Sequence, residues 1–187
     1  MSGSQFDYLL AFHAAPALAG IKPANLFSVR GETAAAIEPL LQSYNLRLNR
    51  RGIAVRVLCE RDSYFLVFVY RPSRLWRELT EDRRRGFLEG FGYSDWSGLE
   101  AALRRLGERC RECRAPHEIG VFLGYPLEDV VGFIENAGER CKLCGYWKVY
   151  SDETAARKSF ERFTRCRNDL CRRVRGGESI VRLFGAA

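Results

Sequence analysis

Apolar residues recur along the chain at two spacings, and these divide it into predicted strands and helices. Residues 64–70, YFLVFVY, are almost continuously apolar and rich in aromatic and β-branched side chains, which predicts a central strand. Residues 53–59 alternate apolar and polar as a half-buried strand does, and Arg61-Asp62-Ser63 reads as the turn that joins the two in an antiparallel hairpin. Cys59 is expected to point into this sheet as a small hydrophobe.

Helical spacing covers most of the rest. Phe6, Leu9, Leu10 and His13 predict a short helix over 4–14, closed by Pro16 and Gly20, with a brief extended piece at 25–29. Thr33 is placed to cap a helix to about Leu48, with Ile37, Leu40, Leu41, Tyr44 and Leu48 on its apolar face and Pro39 as a possible kink. Further helices are predicted at about 73–79, 81–91 and 97–111, the last with a stripe of Leu99, Ala102, Leu103 and Leu106. Pro116 and Pro126 each suit the first turn of a short helix, over 116–124 and 126–136. Residues 146–150 read as a strand, 152–175 as a long helix capped by Ser151 or Asp152, and 179–184 as an edge strand. The expected fold is α+β: a single domain over 1–187, with a small mixed sheet containing the hairpin and helices packed on it.

Composition narrows the class. A chain of 187 residues buries roughly 70% of the surface its unfolded form exposes, so no disulfide or metal is required for a core. No apolar run approaches the ~20 residues that span a bilayer, and Asp7 with no preceding basic segment argues against a secretory leader. The expected location is the cytoplasm, where seven cysteines stay reduced and are free to pack, ligate metal or react. A net charge of +7 brings nucleic acid into view as a partner. The basic stripe of the last long helix, Arg162, Arg165, Arg167, Arg172, Arg173 and Arg175, is its best candidate surface. Its aromatic neighbours Phe160 and Phe163 occupy buried positions, however, so stacking platforms for bases are not evident. Arg83-Arg84-Arg85 reads most simply as a solvated face.

The densest chemistry lies between Cys110 and Asp152. Two C-x-x-C pairs, Cys110/Cys113 and Cys141/Cys144, supply four thiolates suited to tetrahedral zinc, or iron. The segment 114–140 between them is longer than the ~15–20 residues of the common arrangement, so packed cysteines compete with this reading. A redox role needs a thiol at a helix N-terminus, for which Cys113 is the better placed. His117 beside Cys144 or Cys113 could form a base and nucleophile pair, with Glu118 poorly placed to orient the same ring. The bland alternative is a histidine that satisfies a buried carbonyl. No Gly-rich phosphate loop stands between a strand and a helix.

The segments PHEIGVFLGYP and GYWKVYSD, with APALAGIKPANLF and LVFVYRP before them, resemble a domain-of-unknown-function family seen largely in anaerobic Gram-positive bacteria. The resemblance spans nearly the whole chain and marks His13, Lys22, Asn25, Tyr125, Trp147 and Lys148 as candidate ligand-binding positions. Family members are sometimes encoded near flavodoxin or iron-transport genes. The resemblance therefore implies a non-enzymatic cytosolic accessory protein that binds a metal or a partner in redox or iron metabolism. A cysteine-dependent hydrolase or transferase using His117 and Cys144 is the enzymatic alternative. The family often has Cys after the residue matching His13, where this chain has Ala14, which weakens any thiol mechanism at that position.

Overall fold

The computed structural model describes residues 1–113 and 116–185. Strands β1 (Ala24–Arg30), β2 (Ala54–Arg61) and β3 (Tyr64–Tyr70) form a sheet of order β1-β3-β2, antiparallel at both pairings. The sheet is thus antiparallel throughout rather than mixed, because the 25–29 segment is a full strand that pairs with β3 from Ala24↔Tyr70 to Arg30↔Tyr64.

The unbroken apolar run of β3 follows from burial on both faces. Phe65, Val67 and Val69 enter one core with α1 (Gly3–Leu18), α2 (Ala34–Leu48) and the C-terminal half of α8 (Glu153–Arg175). Phe68 and Tyr70 enter a second core with α3 (Pro72–Leu79), α4 (Asp82–Glu89) and α5 (Leu99–Glu112), and with α6 (Ile119–Phe122) and α7 (Leu127–Glu135). Truncating a fully buried residue of this strand, such as Phe65, to Ala is expected to cost about 3–5 kcal/mol. The register of β2 shifts between Val57 and Cys59, and both Leu58 and Cys59 join the second core beside α5.

Three elements differ from the sequence expectation. Helix α1 runs through Pro16 to Leu18, because the Ala17 N–H finds an acceptor in the Asn25 side chain at 3.1 Å and the Pro16 carbonyl accepts from Ile21 and Lys22. Residues 179–184 form helix α9 (Ile180–Phe184) instead of an edge strand. Ser179 caps it through Arg182 N–H, and the Asp7 carboxylate accepts from Ile180 N–H at 3.0 Å, which seats Ile180 in the first core. The expected 146–150 strand is reduced to a two-residue ladder, β5 (Lys148–Val149), against β4 (Leu143–Cys144). Among the described residues, no helix is long and apolar enough to cross a membrane.

Candidate functional site

The β4–β5 hairpin is fastened to the second core by one carboxylate. Asp129, in the first turn of α7 and 2% exposed, accepts from Trp147 Nε1 at 2.6 Å through one oxygen. Its other oxygen accepts from the backbone N–H groups of Tyr150 and Ser151 at 2.8 and 2.7 Å. Burial alone would push this carboxyl up, yet the donors from Tyr150, Ser151 and Trp147 hold it below the usual aspartate range. The hairpin tip lies close against α8: a Cβ on Gly145 would fall 2.2 Å from the Phe160 ring, so only glycine fits there.

With the hairpin so placed, Trp147 stacks on Tyr125 (centroids 5.0 Å apart, planes at 26°) and meets Phe160 edge-on at 4.5 Å. Tyr125 donates to the Tyr146 carbonyl, and burial pushes its hydroxyl up to about 12. Gly124, just before it, has φ +73° and lies against Pro23, which brings the α6–α7 turn onto the segment leading into β1. Between α6, α7 and the hairpin a cavity of about 310 Å³ opens, lined by Pro116, His117, Ile119, Gly120, Tyr125, Asp129, Val130, Phe133, Cys144, Gly145, Trp147 and Lys148. Its walls are mostly apolar. Polar side chains join them: His117 packs edge-on against Phe133 at 5.1 Å, Lys148 donates to the Gly138 carbonyl at 2.5 Å, and Cys144 is exposed.

Residues 10–184 match the sequence profile of a family described as "Protein of unknown function (DUF3793)". The chain belongs to the DUF3793 family. No curated protein and no solved structure matches it. The DUF3793 match includes every residue of the cavity, and both motif segments, PHEIG-x-FLGYP and GYWK, contribute walls to it.

Of the candidate residues read from the sequence, His117, Tyr125, Cys144, Trp147 and Lys148 meet at this one cavity. Lys22 lies on the far side of the Tyr125–Trp147 wall, its ammonium 5.0 Å from the Tyr125 ring. His13 and Asn25 are placed elsewhere. Asn25 serves the α1 backbone, while the His13 imidazole stacks on Phe27 at 5.1 Å and has its pKa lowered by burial and by Arg167.

The four-cysteine metal site is not assembled. Among the described residues, no three His, Cys, Asp or Glu side chains are gathered to hold an ion. Cys110 is drawn into the second core beside Cys59 of β2, and its thiol is pushed far up by the hydrogen bond between the two and by burial. Cys113 closes α5, its Sγ turned to the Arg109 carbonyl at 3.3 Å, whereas a reactive C-x-x-C thiol needs a helix N-terminus. Cys141 and Cys144 belong to the hairpin segment, and only Cys144 reaches the cavity.

Glu118 is fully buried and pairs with Arg109 at 2.8 Å, so it is committed away from the His117 ring, as its position next to His117 suggested. Along the basic stripe, Arg167 covers the Phe12 ring, Arg175 covers Tyr8, and Arg172 and Arg173 pair with Asp169 and Glu178. Asp129 and Phe133 were not among the candidates read from the sequence. The signal for Asp129 was the aromatic N–H donor of Trp147 in a motif that had no assigned acceptor.

Proposed function

We propose that the protein is a cytosolic small-molecule-binding accessory protein whose ligand is a flat, largely apolar ring system held in the cavity between α6, α7 and the β4–β5 hairpin. The observation that carries this reading is the form of the cavity. It is concave, walled by the stacked Tyr125–Trp147 pair with Val130 and Phe133, and has few polar lining groups: His117, Asp129, Cys144 and Lys148. Its volume of about 310 Å³ falls at the small end of ligand pockets, roughly 300–1,000 Å³. A ring slid between Trp147 and Phe133 gains offset-stacked or edge contacts worth ~0.5–1.5 kcal/mol each beyond its area. The accessory role in redox or iron metabolism suggested by the family resemblance fits a redox-active planar ligand.

A fluorescence titration tests the reading. In a Trp76→Phe/Trp96→Phe variant, Trp147 is the sole tryptophan, and quinoline and lumiflavin serve as probes. At least one probe is expected to quench Trp147 saturably, and Val130→Phe, which adds a ring to the cavity without adding a tryptophan, is expected to abolish the response. Equal titrations with and without Val130→Phe would sink the proposal.

Thiol chemistry at Cys144 is a second reading, favoured by the fact that the exposed Cys144 and His117 line the same cavity. Among the described residues, no hydrogen bond joins the two side chains, so a base must move to the thiol before it takes a proton. Alkylation of Cys144 by iodoacetamide should then slow several-fold in His117→Ala. An unchanged rate removes His117 as the base.

A further inference from the structure

Behind the Tyr125–Trp147 wall lies a second cavity, about 470 Å³, with a different chemistry. We propose that it is an anion site that takes a phosphate dianion, free or esterified, with Lys22 at its base and Arg162 at its mouth. Four observations converge. Lys22 is 4% exposed and lines the cavity, and among the described residues its ammonium has neither a hydrogen bond nor an ion pair. Its nearest aromatic neighbours are Tyr125 at 5.0 Å and Phe163 at 5.6 Å. A buried amine without an ion-pair partner is costly when charged, unless an anion arrives.

The charge balance is the second observation. The charged residues lining the cavity with Lys22 are Arg74 on α3, Glu128 in the first turn of α7, Asp152 at the N-cap of α8 and Arg162 on α8. Arg74 is committed to Glu78, Glu128 to Arg83, and Asp152 to capping Ala155 N–H. Among the described residues Arg162 makes no ion pair, so the cavity holds two unpaired cations, Lys22 and Arg162, against one carboxylate, Asp152, that no cation neutralises, and the excess charge is positive.

The third is the backbone. Helices α7 and α8 both begin at this cavity, which Pro126 and Glu128 line from one and Asp152, Ala155, Ala156 and Ser159 from the other. Their N-terminal partial charges favour an anion, offset in part by Glu128 at the start of α7 and by the Asp152 cap of α8. The fourth is protonation. Burial lowers the Lys22 amine to about 7, so near neutrality part of the population is uncharged and takes up a proton when a dianion binds beside it.

The experiment is isothermal titration of the full chain at pH 7.5 and low ionic strength with inorganic phosphate, phenyl phosphate and sulfate. Each is run in two buffers of different ionisation enthalpy. Sulfate is a dianion that does not titrate in this range, so any proton uptake on its binding comes from the protein. Saturable binding with a Kd below about 1 mM is expected, with net proton uptake for sulfate. Lys22→Met should weaken binding at least tenfold and abolish the uptake. Arg162→Gln, on an exposed side chain, should weaken binding while leaving the uptake in place. Tighter binding of phenyl phosphate than of phosphate identifies an esterified ligand, and the reverse a free one. No saturable binding, or binding that both variants leave unchanged, overturns the proposal.

Discussion

Replacing Asp129 should release the hairpin that forms the ligand cavity. In Asp129→Ala three donors lose their acceptor at once: the Trp147 indole N–H and the backbone N–H groups of Tyr150 and Ser151. Each orphaned buried donor costs ~1–3 kcal/mol, and water reaching the part-buried turn brings the figure to the lower end, so the total is about 3–4 kcal/mol. For a chain of this length a kcal/mol corresponds to roughly 2–4 °C in melting temperature, so the variant should melt about 6–16 °C below wild type. Asp129→Asn retains an oxygen for the two backbone donors but presents N–H to the indole, and should cost about half as much. Thermal melts followed by near-ultraviolet circular dichroism at pH 7 supply the numbers. The acid limb is a second check. Because the folded carboxyl sits below its unfolded value, its stabilisation is present above the unfolded pKa of about 3.9 and is lost as pH falls through the lower folded value. The gap between wild type and Asp129→Asn should therefore narrow as pH falls below the unfolded value and close once the lowered folded value is passed. An Asp129→Ala protein melting within 2 °C of wild type at pH 7 would refute the reasoning.

Gly145→Ala forces a methyl into the Phe160 ring and should cost about 1–3 kcal/mol in urea unfolding, with Gly31→Ala, where a Cβ meets open space, as the contrast for positive-φ strain alone. Lys22 has its amine lowered to about 7 in the fold, so its contribution to stability is fully present above the unfolded value of about 10.4 and is lost as pH falls through about 7. Stability relative to Lys22→Met should rise between pH 7 and 10, and a flat difference would contradict the burial of that amine. Among the seven cysteines, Cys144 should react first with a bulky thiol reagent and Cys59 and Cys110 last, as read by mass spectrometry of partly labelled protein. Elemental analysis of reduced protein should return far less than one zinc or iron per chain. A stoichiometric metal would mean that the cysteine pairs converge after all.

The strand Tyr64–Tyr70 was legible residue for residue, because burial on both faces leaves an apolar run that no amphipathic helix shares. Residues 179–184 were not, since a short apolar run fits a strand or a docked helical turn equally well. What decides between them is Asp7, at the other end of the chain, accepting from Ile180 N–H. The cysteine spacing misled for a related reason. Spacing shows that Cys110 and Cys113 can share a ligand, but not that the irregularity in β2 places Cys59 beside Cys110 and removes it into the core. The site itself was half visible. The aromatic and basic residues of the two motifs were marked by the family resemblance, while Asp129 was hidden because an acid in the first turn of a helix already has an ordinary explanation.

The central claim is that a planar ligand enters between Trp147 and Phe133, and amide and indole chemical-shift mapping tests it most directly. Titration of the isotopically labelled full chain with quinoline should move the Trp147 indole N–H and the amides of Gly145, Lys148, Val130 and Phe133 together, with one saturation curve. Shifts that are absent from these groups, or that appear only on the basic face of α8, would contradict the account.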